Sequence, residues 1–158
     1  MDQTGSQIVD ALAALRHAAN GSDELEFALE PFLAVAAAIA RREPGFDREA
    51  MIAAAAPHMA NIRPALTAYG DRLERLLMST FYDQEWIAAC ERRTRLEAVC
   101  TLWAEHLVGL EPLSVDRESL DELLRDKGEH EGGLRPEQIP PGTPTSHWWW
   151  WYPAPPPA

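Results

Sequence analysis

Apolar side chains recur through the first 128 residues with a period near 3.6, the spacing of helices that bury one face. Ile8, Val9, Leu12 and Leu15 form the first stripe, capped by Ser6 and closed by Asn20-Gly21. A second helix is expected from Ser22 or Asp23, where Asp23 and Glu26 have capping-box spacing. Pro31 should kink or restart it, because proline lacks the amide proton and crowds the preceding turn. From Phe32 to Ala40 every position is apolar. A helix apolar on all sides belongs at the centre of a bundle, and its alanines let neighbours come close.

Glu43-Pro44-Gly45 is a stop signal, after which Asp47 caps a third helix with Phe46 and Met51 in hydrophobic-staple positions. Pro57 should bend or end that helix. Pro64 is expected to open the next, which carries Leu66, Tyr69, Leu73, Leu76 and Leu77. Asp83 can cap a long amphipathic helix reaching about Leu110. Its Trp86, Cys90, Cys100, Trp103 and Leu107 lie near one face, opposite Arg92, Arg95 and Glu105. Pro112 should break the chain, Asp116 should cap a short helix with Leu120, Leu123 and Leu124, and Gly128 should terminate it. No period-two alternation and no internal repeat is visible. The pattern predicts an all-α fold, a compact bundle of about five to six helices.

After Gly128 the composition changes. Gly132-Gly133 is followed by eight of the chain's 13 prolines, a density that forbids long helix and favours extended or polyproline backbone. Two parts are therefore expected: an acidic helical domain over 1–128, and a Pro/Trp-rich extended tail over 129–158 docked on the domain or on a partner. The tail holds His147, Trp148, Trp149, Trp150, Trp151 and Tyr152. Each tryptophan can bury on the order of 200 Å², so four in a row left in water would be adhesive. An extended backbone would alternate their directions, and a polyproline twist would align Trp148 with Trp151. Neither buries all four against one flat surface. These six residues are the candidate partner-binding site; completing the chain's own core is the other reading.

Charge narrows the possible partners. Of 158 residues, 25 are acidic and 14 are lysine or arginine, giving −11 at neutral pH, and Lys127 is the sole lysine. Such a field repels nucleic acid and anionic membranes and favours a basic protein, although it also serves solubility alone. The first residues lack the basic and apolar regions of a secretory signal, and the longest apolar run is far short of the ~20 residues that span a bilayer. A cytoplasmic protein is expected, and heavy use of alanine and of arginine over lysine suggests a high-GC bacterial gene. Cys90 and Cys100 sit about 80° apart on one helix at different heights, which argues against a disulfide and for buried thiols.

Reactive constellations are sparse. The histidines (His17, His58, His106, His130, His147) form no ligand pair at helical spacing, so no metal and no cofactor is expected; Glu129-His130-Glu131 reads as a solvated charge run. No phosphate-binding glycine loop occurs. Cys90 or Cys100 with His106 would make a nucleophile only in an open, positive setting, and both thiols fall on the apolar stripe. Arg92, Arg93 and Arg95 could receive an anion, yet the surplus of carboxylates makes ion pairs with neighbouring helices the simpler expectation.

The expected function is a non-enzymatic, acidic protein-protein interaction module that neutralises, escorts or assembles with another protein, as an immunity protein, antitoxin or accessory subunit does. Two other readings compete. One is a small all-α ligand-binding protein or enzyme with a pocket lined by Tyr69, Tyr82, Trp86, Trp103 and His106. The other is a homo-oligomer whose tails exchange between protomers.

Overall fold

The computed structural model describes residues 23–56, 59–79, 85–102, 104 and 111–158. Among them are five α-helices: α1 (Asp23–Ala40), α2 (Arg48–Ala55), α3 (Met59–Met78), α4 (Glu85–Leu102) and α5 (Glu111–Glu131). Two short 3-10 turns follow, Pro136–Gln138 and Trp148–Trp150. No strand occurs among the described residues, and the fold is the all-α bundle with an irregular tail that the periodicity predicts. The expected helix from Ser6 to Asn20 lies outside the described residues, as do Asp83, Tyr82, Trp103 and His106.

Helix α1 runs unbroken through Pro31, which the sequence placed at a kink or a restart. From Leu29 onward its exposed positions are Pro31 and Ala34, while Leu29, Phe32, Leu33 and Val35 to Ala38 are buried. Burial of the surrounding apolar face outweighs one missing backbone hydrogen bond on the outer side. The helix closes with paired bonds, Arg42 N–H to the Ile39 carbonyl and Glu43 N–H to the Ala38 carbonyl, with Arg42 at φ 56. This is a Schellman closure with an arginine where glycine is usual.

Asp47 caps α2 as expected, its side chain accepting from Glu49 N–H at 2.9 Å. Helix α3 begins at Met59, so Pro64 sits inside it instead of opening it. Pro64 and Ala60, four residues earlier, are both exposed, so the carbonyl that loses its partner faces water. Ile62, Ala65, Leu66, Tyr69, Leu73 and Leu77 form the buried stripe of α3.

Helix α4 is buried on most of its sides. Trp86, Ala89, Cys90, Arg93, Thr94, Leu96, Ala98 and Val99 are buried in it, and only Ala88 and Thr101 are exposed. At about 100° per residue these positions cover most of its circumference, so three sides are occupied. Helix α1 lies against one, α3 against another, and the tryptophan turn against the third.

Helix α5 differs most from its sequence reading. It is one helix from Glu111 to Glu131, so Pro112 falls in its first turn, where proline is tolerated, and Asp116 lies inside it instead of capping it. Gly128 does not terminate it. Gly128 is buried within the helix, and a Cβ there would stand 2.6 Å from Cδ1 of Tyr152 and 2.8 Å from Cη2 of Trp86. The glycine is needed for close approach of the tail. Termination comes at Gly132-Gly133, where Gly132 N–H bonds to the Gly128 carbonyl and Gly133 adopts φ 84.

Candidate functional site

The tail folds back onto the bundle, and it is not extended at the tryptophans. Its amides close a series of local turns: His147 to the Pro144 carbonyl at 2.9 Å, Trp150 to His147 at 3.2 Å, Trp151 to Trp148 at 3.0 Å and Ala154 to Trp151 at 2.9 Å. A buried segment with no sheet partner must satisfy its backbone in this way. Gly133 N–H donates to the Tyr152 carbonyl at 2.9 Å, tying the turn to the end of α5.

A 3-10 turn has three residues per revolution, so Trp148 and Trp151 share a side while Trp149 and Trp150 face elsewhere. Trp149 and Trp150 point inward, each 1% exposed, and are the two largest fully buried side chains among the described residues. Trp148, Trp151 and Tyr152 are half-buried at the rim. The six tail residues are thus brought together, but divided between core and surface. Trp149, Trp150 and His147 could meet a partner only by leaving their own domain.

One hydroxyl organises the buried pair. Thr94 Oγ1 on α4 accepts from Trp149 Nε1–H at 3.1 Å and from Trp150 Nε1–H at 2.8 Å. These two donors use both lone pairs of the oxygen. His147 Nδ1 lies 3.4 Å from the same oxygen, and the imidazole stacks on Trp149 with ring centroids 4.9 Å apart and planes 18° from parallel. Burial lowers the His147 pKa to about 4, with Glu97 and Glu91 opposing the shift and Arg93 and Arg41 adding to it. The Cys90 thiol, directly beneath, donates to the Trp149 carbonyl at 3.6 Å.

Guanidinium groups complete the enclosure. Arg93 lies over the Trp149 ring at 4.6 Å, Arg125 over Trp148 at 4.7 Å and Arg41 over Trp150 at 5.9 Å. Arg93 is only 3% exposed. It donates to Asp121 of α5 at 2.8 Å and to Glu97 at 2.8 Å. Burial opposes its charge, but the two carboxylates more than offset that and hold its pKa above the ordinary value. Glu97 is held low, Arg93 and Arg117 outweighing the burial that would raise it. Arg95 pairs with Glu30, and Arg41 with Glu91 at 2.5 Å, so the arginines serve interhelical ion pairs as the acidic surplus suggests.

The expected pocket is represented by Tyr69 and Trp86 alone, and both are packed into the core. Tyr69 is wholly buried with Arg92 over its ring at 5.0 Å, and burial with the nearby Glu30 pushes its phenol well above the usual range. Trp86 meets the α5 backbone at Gly128. Both cysteines are free thiols, and burial raises the pKa of each, which is the opposite of what a nucleophile needs. Among the described residues no three His, Cys, Asp or Glu side chains cluster as metal ligands, and no helix is long and apolar enough to cross a membrane.

Sequence reasoning missed Thr94 altogether, and it placed Gly128 at a helix end instead of at the contact with Tyr152 and Trp86. A signal for Thr94 existed: Trp86, Cys90 and Thr94 succeed one another at four-residue intervals, which places all three on one helix face. Its arginine neighbours disguised it. The chain matches no family model, no curated protein and no solved structure.

Proposed function

We propose that this chain is a non-enzymatic interaction module that takes a basic protein partner, in the manner of an immunity protein, an antitoxin or an accessory subunit. The outer face of α5 supports the reading most directly. Glu118, Glu122, Asp126 and Glu129 are all exposed and follow one another at intervals of four, four and three residues, which sets them in one row. Two basic residues of the same helix are drawn off that row: Arg117 reaches Glu97, and Lys127 Nζ donates to the Ser79 carbonyl at 2.5 Å. Arg125, exposed beside the row at three residues from Glu122 and four from Glu129, lays its guanidinium on the Trp148 ring. That side of the helix therefore carries four carboxylates beside the single guanidinium of Arg125. Half-buried Trp148 and Tyr152 lie on the same helix's flank, where aromatic anchors would border an acidic steering surface.

Affinity capture from the producing organism tests this. The bait is the full chain, compared with a variant carrying Glu118→Gln, Glu122→Gln, Asp126→Asn and Glu129→Gln. The expected result is a basic polypeptide whose capture weakens with added salt and falls by about tenfold or more with the variant, at an unchanged melting temperature. Equal capture by both baits, or capture of acidic polypeptides only, would refute it. Deleting the tail is the wrong control, because Trp149 and Trp150 belong to the core.

A further inference from the structure

We propose that the tryptophan turn is an acid-released strap: protonation of His147 at Nδ1 expels Trp149 and Trp150 from their seat on α4 and uncovers the Cys90 thiol. The geometry carries this. Thr94 Oγ1 already accepts from both indole N–H groups, so it has no lone pair for a third donor. A proton on Nδ1 would be directed at that filled oxygen from 3.4 Å. The imidazole therefore fits its site only with Nδ1 unprotonated and the ring neutral, and one proton brings both an unpaired donor and a buried charge.

The surroundings do not rescue the imidazolium. Facing it from α4 are Arg93, Glu97 and Glu91, and from the end of α1, Arg41. Two cations oppose two carboxylates, and Glu97 is already engaged by Arg93 and Arg117. Asp121 on α5 is likewise held by Arg93, and Arg125 sits on Trp148. With the charges near balance, loss of hydration decides the outcome, and the site favours the neutral ring.

The sign follows from linkage. The docked tail has a histidine pKa of about 4 and the released tail the ordinary 6.5, so the released state binds more protons between these values. Docking is at full strength above pH 6.5 and weakens as pH falls toward 4. Glu97, held below the usual carboxylate range, remains charged through the upper part of that window.

Cys90 supplies the readout. In the full chain with Cys100→Ser, labelling by 4,4′-dithiodipyridine, normalised to the rate of a small free thiol at each pH, reports release of the tail. Between pH 7 and pH 5 the normalised rate should rise by about twentyfold, the ratio those two pKa values give. The rise should shrink to within about twofold in His147→Gln, whatever that variant's baseline. In the unmodified chain, the indole N–H resonances of Trp149 and Trp150 should move together toward their unfolded positions over the same range. A flat wild-type profile, an equal rise in His147→Gln, or a labelling rate at pH 5 with the urea dependence of global unfolding would each overturn the strap.

Discussion

Replacing Thr94 with valine tests the organisation of this core more directly than any change to the tryptophans. Valine has nearly the same shape and a comparable helix propensity, so the substitution removes one oxygen and little else. Two indole N–H groups then lose the acceptor they share at a site that is completely buried. An orphaned buried donor costs about 1–3 kcal/mol, which gives roughly 2–6 kcal/mol for the pair. Burying a methyl in place of a hydroxyl returns part of this, and a net loss of about 3 kcal/mol is expected. For a chain of this size that corresponds to a melting temperature lower by roughly 6–12 °C. Thr94→Ser provides the control, since it keeps the acceptor and gives up one methyl, at about 1 kcal/mol.

Urea denaturation followed by far-ultraviolet circular dichroism measures both variants, and a double-mutant cycle with Trp150→Phe isolates the hydrogen bond. Phenylalanine has no N–H to orphan, so Thr94→Val should cost about 1–2 kcal/mol less in that background. Additive costs, or a valine variant as stable as the serine one, would show that the shared hydroxyl is incidental.

Two further substitutions address α5. Gly128→Ala should destabilise by about 1–3 kcal/mol even though alanine favours helix by about 1 kcal/mol, because the new Cβ collides with Tyr152 and Trp86; a stabilised variant in urea melts would show the tail is not seated there. Asp121→Ala leaves the buried Arg93 guanidinium with Glu97 as its remaining carboxylate partner, and should cost about 3 kcal/mol. Arg93→Met combined with Asp121→Ala should recover much of that loss, and a double variant no more stable than the single one would exclude a desolvated ion pair as the cause.

The composition of the tail demanded burial, and its location could not be read from the chain. Four consecutive tryptophans are too apolar for water, which follows from the residues alone. That two face inward follows from the 3-10 turn, which answers a need for buried amides to find partners. The proline at position 64 shows the same division. Proline weakens any helix locally, and the sequence accordingly suggests a start at that point. Apolar burial on the inner face of α3 and water on its outer face let the helix pass through.

What the sequence determined by itself was whatever depends on near neighbours along the chain: the all-α class, the apolar length of α1, the buried stripe of α3, the Asp47 cap and the apolar character of the tail. Those signals repeat within four residues, the reach of a helical turn. Tertiary structure decided the rest. Thr94 binds indoles 55 and 56 residues away, Arg93 finds Asp121 at a separation of 28, and Gly128 makes room for Tyr152. A buried polar side chain and an exposed one are identical on paper. Burial of each depends on a distant partner, and only the packed chain brings the two together.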